Sequence, residues 1–145
     1  MTQAIATDFN KPESVVDAFI AAMHQWELDA AREMQIASET DDPSAYQAVI
    51  LQTHAALFLR YCTVRDRKYG RLGSFSMPPE YDPTKEKILS STIDAKKKTA
   101  TVETLRDAMW GSPEKYRYIL FLTDGKWLID NQKLERNDKW IQNIL

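Results

Sequence analysis

The chain changes character near residue 68. Before that point apolar residues recur at the three-and-four spacing of a helix face; after it they fall into short runs rich in Thr, Ile and Val, separated by Gly, Pro and hydrophilic turns. Helices first and strands afterwards is the order of an α+β fold, in which the helices pack on one antiparallel sheet. Both helices carry their own start signals. In Asn10-Lys-Pro-Glu13, Asn10 offers a cap, Pro12 sits in the first turn where its missing N–H costs nothing, and Glu13 can close a capping box. A first helix is expected over 12–38. Counted from Val16 at about 100° per residue, Phe19, Ile20, Met23, Ala30 and Met34 fall close to one line. Glu27 lies inside that core-facing stripe, with Trp26 and His24 flanking it on opposite sides.

Asp41-Asp-Pro43 repeats the start signal with Asp42 as cap, and a second helix should reach about Arg65. Tyr46, Val49, Ile50, Leu57, Tyr61 and Val64 make one apolar face of it, and Leu51, Phe58 and Cys62 a second. The helix is therefore expected to be buried on more than one side. Gly70, Gly73, Pro78, Pro79 and Pro83 punctuate a linker with room for one short strand at 74–77. Strands are expected over 87–93 and 99–106 around Asp94-Ala-Lys-Lys-Lys98, and over 116–123 and 126–134 around Thr123-Asp-Gly125-Lys126, where Gly125 can take the positive φ of the turn. A short helix over 137–144 would cover a sheet edge. The whole reads as a single domain, residues 1–145, with two helices on the concave side of a curved antiparallel sheet of about four strands.

With 145 residues, 43% apolar and 28% charged, the composition is that of one soluble globular domain. No run approaches the roughly 18 apolar residues of a membrane span, and Met1–Asn10 has neither the basic region nor the apolar core of an export signal, so the expected address is the cytoplasm. Cys62 cannot form an internal disulfide. One Cys with His24 and His54 is too few for a zinc site, and no metal or cofactor is expected. The net charge of −2 hides an asymmetry: residues 1–55 carry nine acids and only Lys11 and Arg32 (net −7), while residues 56–145 carry 17 bases and 12 acids (net +5). Such a division can steer a charged partner to one face, or can simply be a solvated acidic helix beside a basic sheet. Nothing is basic enough to point to nucleic acid.

Among residues able to do chemistry, Glu27 comes first, because a carboxylate on an apolar stripe has a raised pKa unless a cation or donor relieves its burial. Arg60 and Thr53, from the second helix, are placed to relieve it, and Glu27, Trp26 and Arg60 are the expected cavity residues. The bland alternative is a satisfied buried acid or one that reaches solvent. His54 lies at the margin of its helix stripe, as a packing residue would. For Tyr118 and Asp130 alternation leaves the side undecided, since neither Trp127, Ile129 and Asn131 nor Leu128, Asp130 and Gln132 is a cleanly apolar set. Tyr116, Tyr118, Leu120 and Leu122 alternate with Arg117, Ile119, Phe121 and Thr123, which suits a strand covered on both sides. Lys96 to Lys98 read as a solvated hairpin tip, and Cys62 as buried and inert.

The order of elements, with Phe19-Ile-Ala-Ala-Met23-His-Gln-Trp26-Glu27 in the first helix and Gly125-Lys-Trp127-Leu-Ile-Asp130 in the last long strand, resembles the nuclear transport factor 2-like superfamily, a cone-shaped α+β fold. The first-helix run is similar, more narrowly, to that of bacterial immunity proteins with this fold, which protect a cell against polymorphic toxins. The resemblance implies a non-enzymatic protein that binds a cognate toxin domain and occludes its active site. Together with the acidic first part of the chain, it makes Asp29, Glu33, Glu39, Asp41 and Asp42 the expected surface for a basic cleft. A nuclease toxin suits, because its substrate groove must be basic. Related folds pair through the open side of the sheet, so a homodimer is expected there, and no nucleic-acid or membrane partner is. The same fold hosts isomerases, dehydratases and cyclases, so the alternative is a small-molecule enzyme using Glu27 as acid or base, or a ligand-binding module without chemistry.

Overall fold

A computed structural model describes residues 7–67, 74–108, 110–143 and 145. Its elements run α1 (Pro12–Ser38), α2 (Ser44–Tyr61), β1 (Glu86–Asp94), β2 (Thr99–Arg106), β3 (Glu114–Thr123), β4 (Lys126–Arg136) and β5 (Lys139–Gln142). The strands form one antiparallel meander in chain order, so the fold is α+β with two helices on an open sheet. α1 is the middle layer. It packs against α2 on one side and against β1, β2 and β4 on the other.

The stripe read in α1 is the centre of the core: Val16, Phe19, Ile20, Met23, Glu27 and Ala30 are buried, as are Val15 and Trp26 beside them. Met34 leaves the stripe and is exposed, although Ala37, one turn later, is buried. No side chain caps α1; its N-cap is Lys11, and the Asn10 N–H donates to the Asp8 carboxylate instead. At α2 the N-cap is Pro43 rather than Asp42, again with no side-chain cap; Asp42, one residue earlier, accepts the Ser44 N–H at 3.1 Å.

Four expectations are corrected. α2 stops at Tyr61 rather than at Arg65, because Cys62 and Thr63 turn extended and bind the edge of β4: Cys62 forms a parallel bridge to Ile129, and the Thr63 N–H donates to the Ile129 carbonyl at 2.9 Å. The buried side of α2 cuts across both expected faces: Ile50 and Tyr61 of the first are buried with His54, Phe58 of the second packs on the core, and Val49 and Leu51 are exposed. Residues 74–77 form no strand. The sheet has five strands, not four, since β5 occupies the stretch expected as a terminal helix. Its turn is Asn137-Asp138, both with positive φ (51° and 63°), the backbone of a two-residue hairpin turn; Asp124-Gly125 (50° and 78°) makes the same turn between β3 and β4. Gly70 and Gly73 lie outside the described residues.

The ambiguity of β4 has a specific cause. Ile119 pairs with Asn131 but Leu120 pairs with Ile129, which leaves Asp130 as an extra residue. A bulge shifts the alternation by one. Trp127 and Ile129 face the core before it, Gln132 and Leu134 after it, and no single parity is apolar throughout. In β3, Tyr116, Tyr118 and Leu120 face the core, but among the described residues no layer covers the opposite side: Phe121 is exposed and Arg117 only half-buried.

Candidate functional site

Three groups of polar side chains are candidates for a functional site. The first surrounds Glu27, which is fully buried. Its Oε1 accepts the Ser76 N–H and its Oε2 the Tyr81 N–H, both at 3.1 Å, so the carboxylate ties the loop before β1 to α1. The expected helpers are elsewhere. Arg60 is exposed, lies over the Tyr61 ring at 5.4 Å, and lines an open groove of about 1340 Å³ between α1 and α2 together with Lys11, Glu13 and Asp17. Thr53 accepts the indole N–H of Trp26 at 3.0 Å and donates to its own helix carbonyls. Trp26 and Glu27 are thus buried neighbours, and Arg60 does not join them. His54 is buried, with Trp26 edge-on at 4.8 Å and Phe58 stacked at 4.4 Å, which is a packing position.

The second group was not read from the sequence. Glu86, at the start of β1, is buried against the inner face of β2 and β3, where its carboxylate accepts Thr104 Oγ1 (2.7 Å), Arg106 Nε (2.7 Å) and the Tyr118 hydroxyl (2.8 Å). The Arg106 guanidinium lies over the Tyr116 ring at 3.9 Å and the Tyr81 ring at 4.7 Å, and donates to Glu80 at 3.2 Å. Gln132 Nε2 reaches the Tyr81 hydroxyl at 3.4 Å. A cleft of about 260 Å³ lined by Arg106, Glu80, Glu114 and Tyr116 opens beside this cluster. One signal was available: Thr104 and Arg106 share the parity of Ala100 and Val102, so the face that is apolar in the first half of β2 must turn polar in the second.

Chemically the second group is locked. Burial and the nearby Glu86 push the Tyr118 hydroxyl well above its ordinary value, and burial does the same to Tyr116. For Arg106 burial alone would lower the pKa, but Tyr118 and Glu86 outweigh it and raise it. Each group is therefore held in one protonation state across the neutral range, whereas a general acid or base needs a pKa near the working pH. The cluster is built as a buried, hydrogen-bonded ion pair. Its worth is in fixing the sheet against the loop that carries Glu80 and Tyr81.

The third group is the acidic set. α1 and α2 form a hairpin turned by residues 39–43, so Asp29 and Glu33, late in α1, lie at the same end as Glu39, Asp41 and Asp42. Glu39, Asp41 and Asp42 are exposed, while Asp29 and Glu33 are half-buried. Asp29 accepts Gln25 Nε2 at 2.9 Å and lies 3.5 Å from Arg32, the sole base between Asp29 and Leu59. Hydrogen bonds from Ser44 hold the Asp42 carboxyl below its usual range. Together the five carboxylates weight the turn end of the hairpin with acidic side chains.

Asp130 owes its burial to the bulge: it accepts Thr63 Oγ1 at 2.7 Å and Arg65 at 2.9 Å, and so fastens the chain after α2 to β4. Among the described residues no three His, Cys, Asp or Glu side chains are grouped to hold a metal ion, and no helix is long and apolar enough to cross a membrane.

Comparison with known proteins matches residues 11–144 to the family described as NTF2 fold immunity protein. Among curated proteins, the chain is 32% identical over 142 residues to the immunity protein RhsIA of Dickeya dadantii (strain 3937), covering 94% of this chain and 97% of that one. No solved structure gives a significant match.

Proposed function

The chain belongs to the family of NTF2-fold immunity proteins, and from that premise we propose that it disarms its toxin by occlusion, presenting the acidic end of the α1–α2 hairpin to a basic active-site cleft. Its function is toxin neutralisation, and its partner is a cognate toxin. The observation that carries the occlusion reading is the gathering of Asp29, Glu33, Glu39, Asp41 and Asp42 at one end of the hairpin with Arg32 as the sole counter-charge between Asp29 and Leu59. Opposite charge across an interface raises the association rate and fixes orientation. A nuclease is the toxin class that fits best, because a groove that binds phosphates must be basic. The protein then acts in the cytoplasm of the producing cell, where such a toxin would find its substrate.

The test is co-expression with the toxin encoded beside it, read as growth rescue and as a co-purifying complex. Glu39→Lys with Asp41→Lys is expected to weaken toxin affinity about tenfold or more and to flatten its salt dependence, the order of effect for close charge pairs. Protection and affinity unchanged in that double variant would move the interface to another face. The small-molecule alternative draws no support from the locked cluster of Glu86, Arg106 and Tyr118.

A further inference from the structure

The outward side of α2 has no partner within the described residues. From Pro43 to Leu59 the sequence contains no Asp, Glu, Lys or Arg, although 28% of the whole chain is charged. This gap falls on a helix that is the outermost layer of the fold. Leu51 is 53% exposed, Leu59 70%, and Val64 just beyond the helix 86%. A surface helix ordinarily keeps charge on its solvent side, and loss of charge is what marks the core of an interface. The two ends of this face are charged with opposite sign: Glu39, Asp41 and Asp42 precede it, and Arg60 and Arg65 follow it.

We propose that in the absence of toxin this face pairs with α2 of a second copy, antiparallel and about a two-fold axis. The argument is self-complementarity, which a two-fold interface requires because one patch must fit itself. An axis beside Gln52 sets Leu59 opposite Ala45 of the second copy and Ala56 opposite Ala48. It brings Arg60 of each copy to the acidic turn 39–42 of the other; Arg65 is already held by Asp130 and takes no part. The 18 residues of α2 give this contact a length of about 27 Å. The alanines let the helices approach closely, and the leucines fill the space beside them. The open side of the sheet is less suited, because it carries charges already paired within the chain: Arg117 holds Glu103 at 2.6 Å and lies over Trp140 at 4.0 Å. Dimer and toxin draw on the same acids, so they exclude one another at that end, and the dimer is read on the isolated protein whatever the toxin result.

Sedimentation equilibrium of the full chain tests this. A dimer is expected that weakens at high salt, and Leu59→Glu should make it a monomer whose thermal unfolding curve matches that of the wild-type protein diluted to monomer. Arg60→Glu and Asp41→Lys should each weaken the dimer about tenfold, and together restore it, because the two reversed charges then face each other again. A monomer at every concentration, or a dimer indifferent to Leu59→Glu and broken instead by Phe121→Glu on the sheet, overturns the proposal. Failure of the paired reversal to restore association overturns the antiparallel register.

Discussion

α1 and α2 begin with similar local signals and have similar apolar content, yet one is the middle of the core and the other its outer wall. α1 lies between the sheet and α2, so ten of its residues are buried, including a carboxylate; α2 has a single neighbour layer and buries three. In proportion to its length α2 is no less apolar than α1. What differs is how many sides have something to pack against. An apolar face in a helix therefore states a demand for a partner, which is met either by another part of the chain or by another molecule.

Truncations should measure that difference directly. Phe19→Ala, at a fully buried position in contact with the rings of Phe58, Tyr81 and Tyr118, is expected to cost about 3–5 kcal/mol in denaturant unfolding. Leu59→Ala, on the outer face of α2, should stay within about 0.5 kcal/mol for the dilute monomer. Equal costs would mean that α2 is as enclosed as α1. Glu27→Ala comes next, at about 1–3 kcal/mol, since it strips the acceptor from two backbone N–H groups of the loop. Limited proteolysis in the loop around Ser76 should accelerate in the same variant.

At the end of α2, the Cys62 thiol is buried and burial pushes its pKa up to about 12. It should resist thiol reagents at neutral pH in the native protein and react at once in denaturant. Ready reaction would show that the Cys62–Ile129 bridge opens easily and that α2 is held less firmly than its hydrogen bonds suggest. The smallest effect belongs to Asp17 on the exposed side of α1, where burial and the charges of Glu13 and Glu86 raise the pKa. A raised carboxyl pKa means that the folded state releases its proton later than the unfolded one. The resulting penalty is absent in acid, grows as pH rises from the ordinary value of 3.8 through the folded value, and is complete above it. Asp17→Asn should thus gain slightly in stability at neutral pH and lose that gain in acid.

Much of the local structure was legible because it depends on neighbours in sequence. The Pro12 start, the 12–38 span of α1, the stripe containing Glu27 and the Gly125 turn each follow from the backbone chemistry of a few adjacent residues. The Asn137-Asp138 turn carried a comparable signal between Arg136 and Lys139, and reading through it as helix concealed β5. The bulge at Asp130 could not be read at all. The extra residue's carboxylate is held by Thr63 and Arg65, more than sixty residues away in sequence.

The candidate site divides along the same line. The charges of the acidic end are a matter of composition, and the hairpin that gathers them follows from the turn between two helices. The partners of Glu27 and the union of Glu86, Thr104, Arg106 and Tyr118 come from four separate segments. The sequence by itself determined the elements, their order and the sign of each face, because dihedral preference, capping and charge are local properties. Only the tertiary structure decided which apolar face became core and which buried charge found its counter-charge, because burial depends on what the rest of the chain places on the other side.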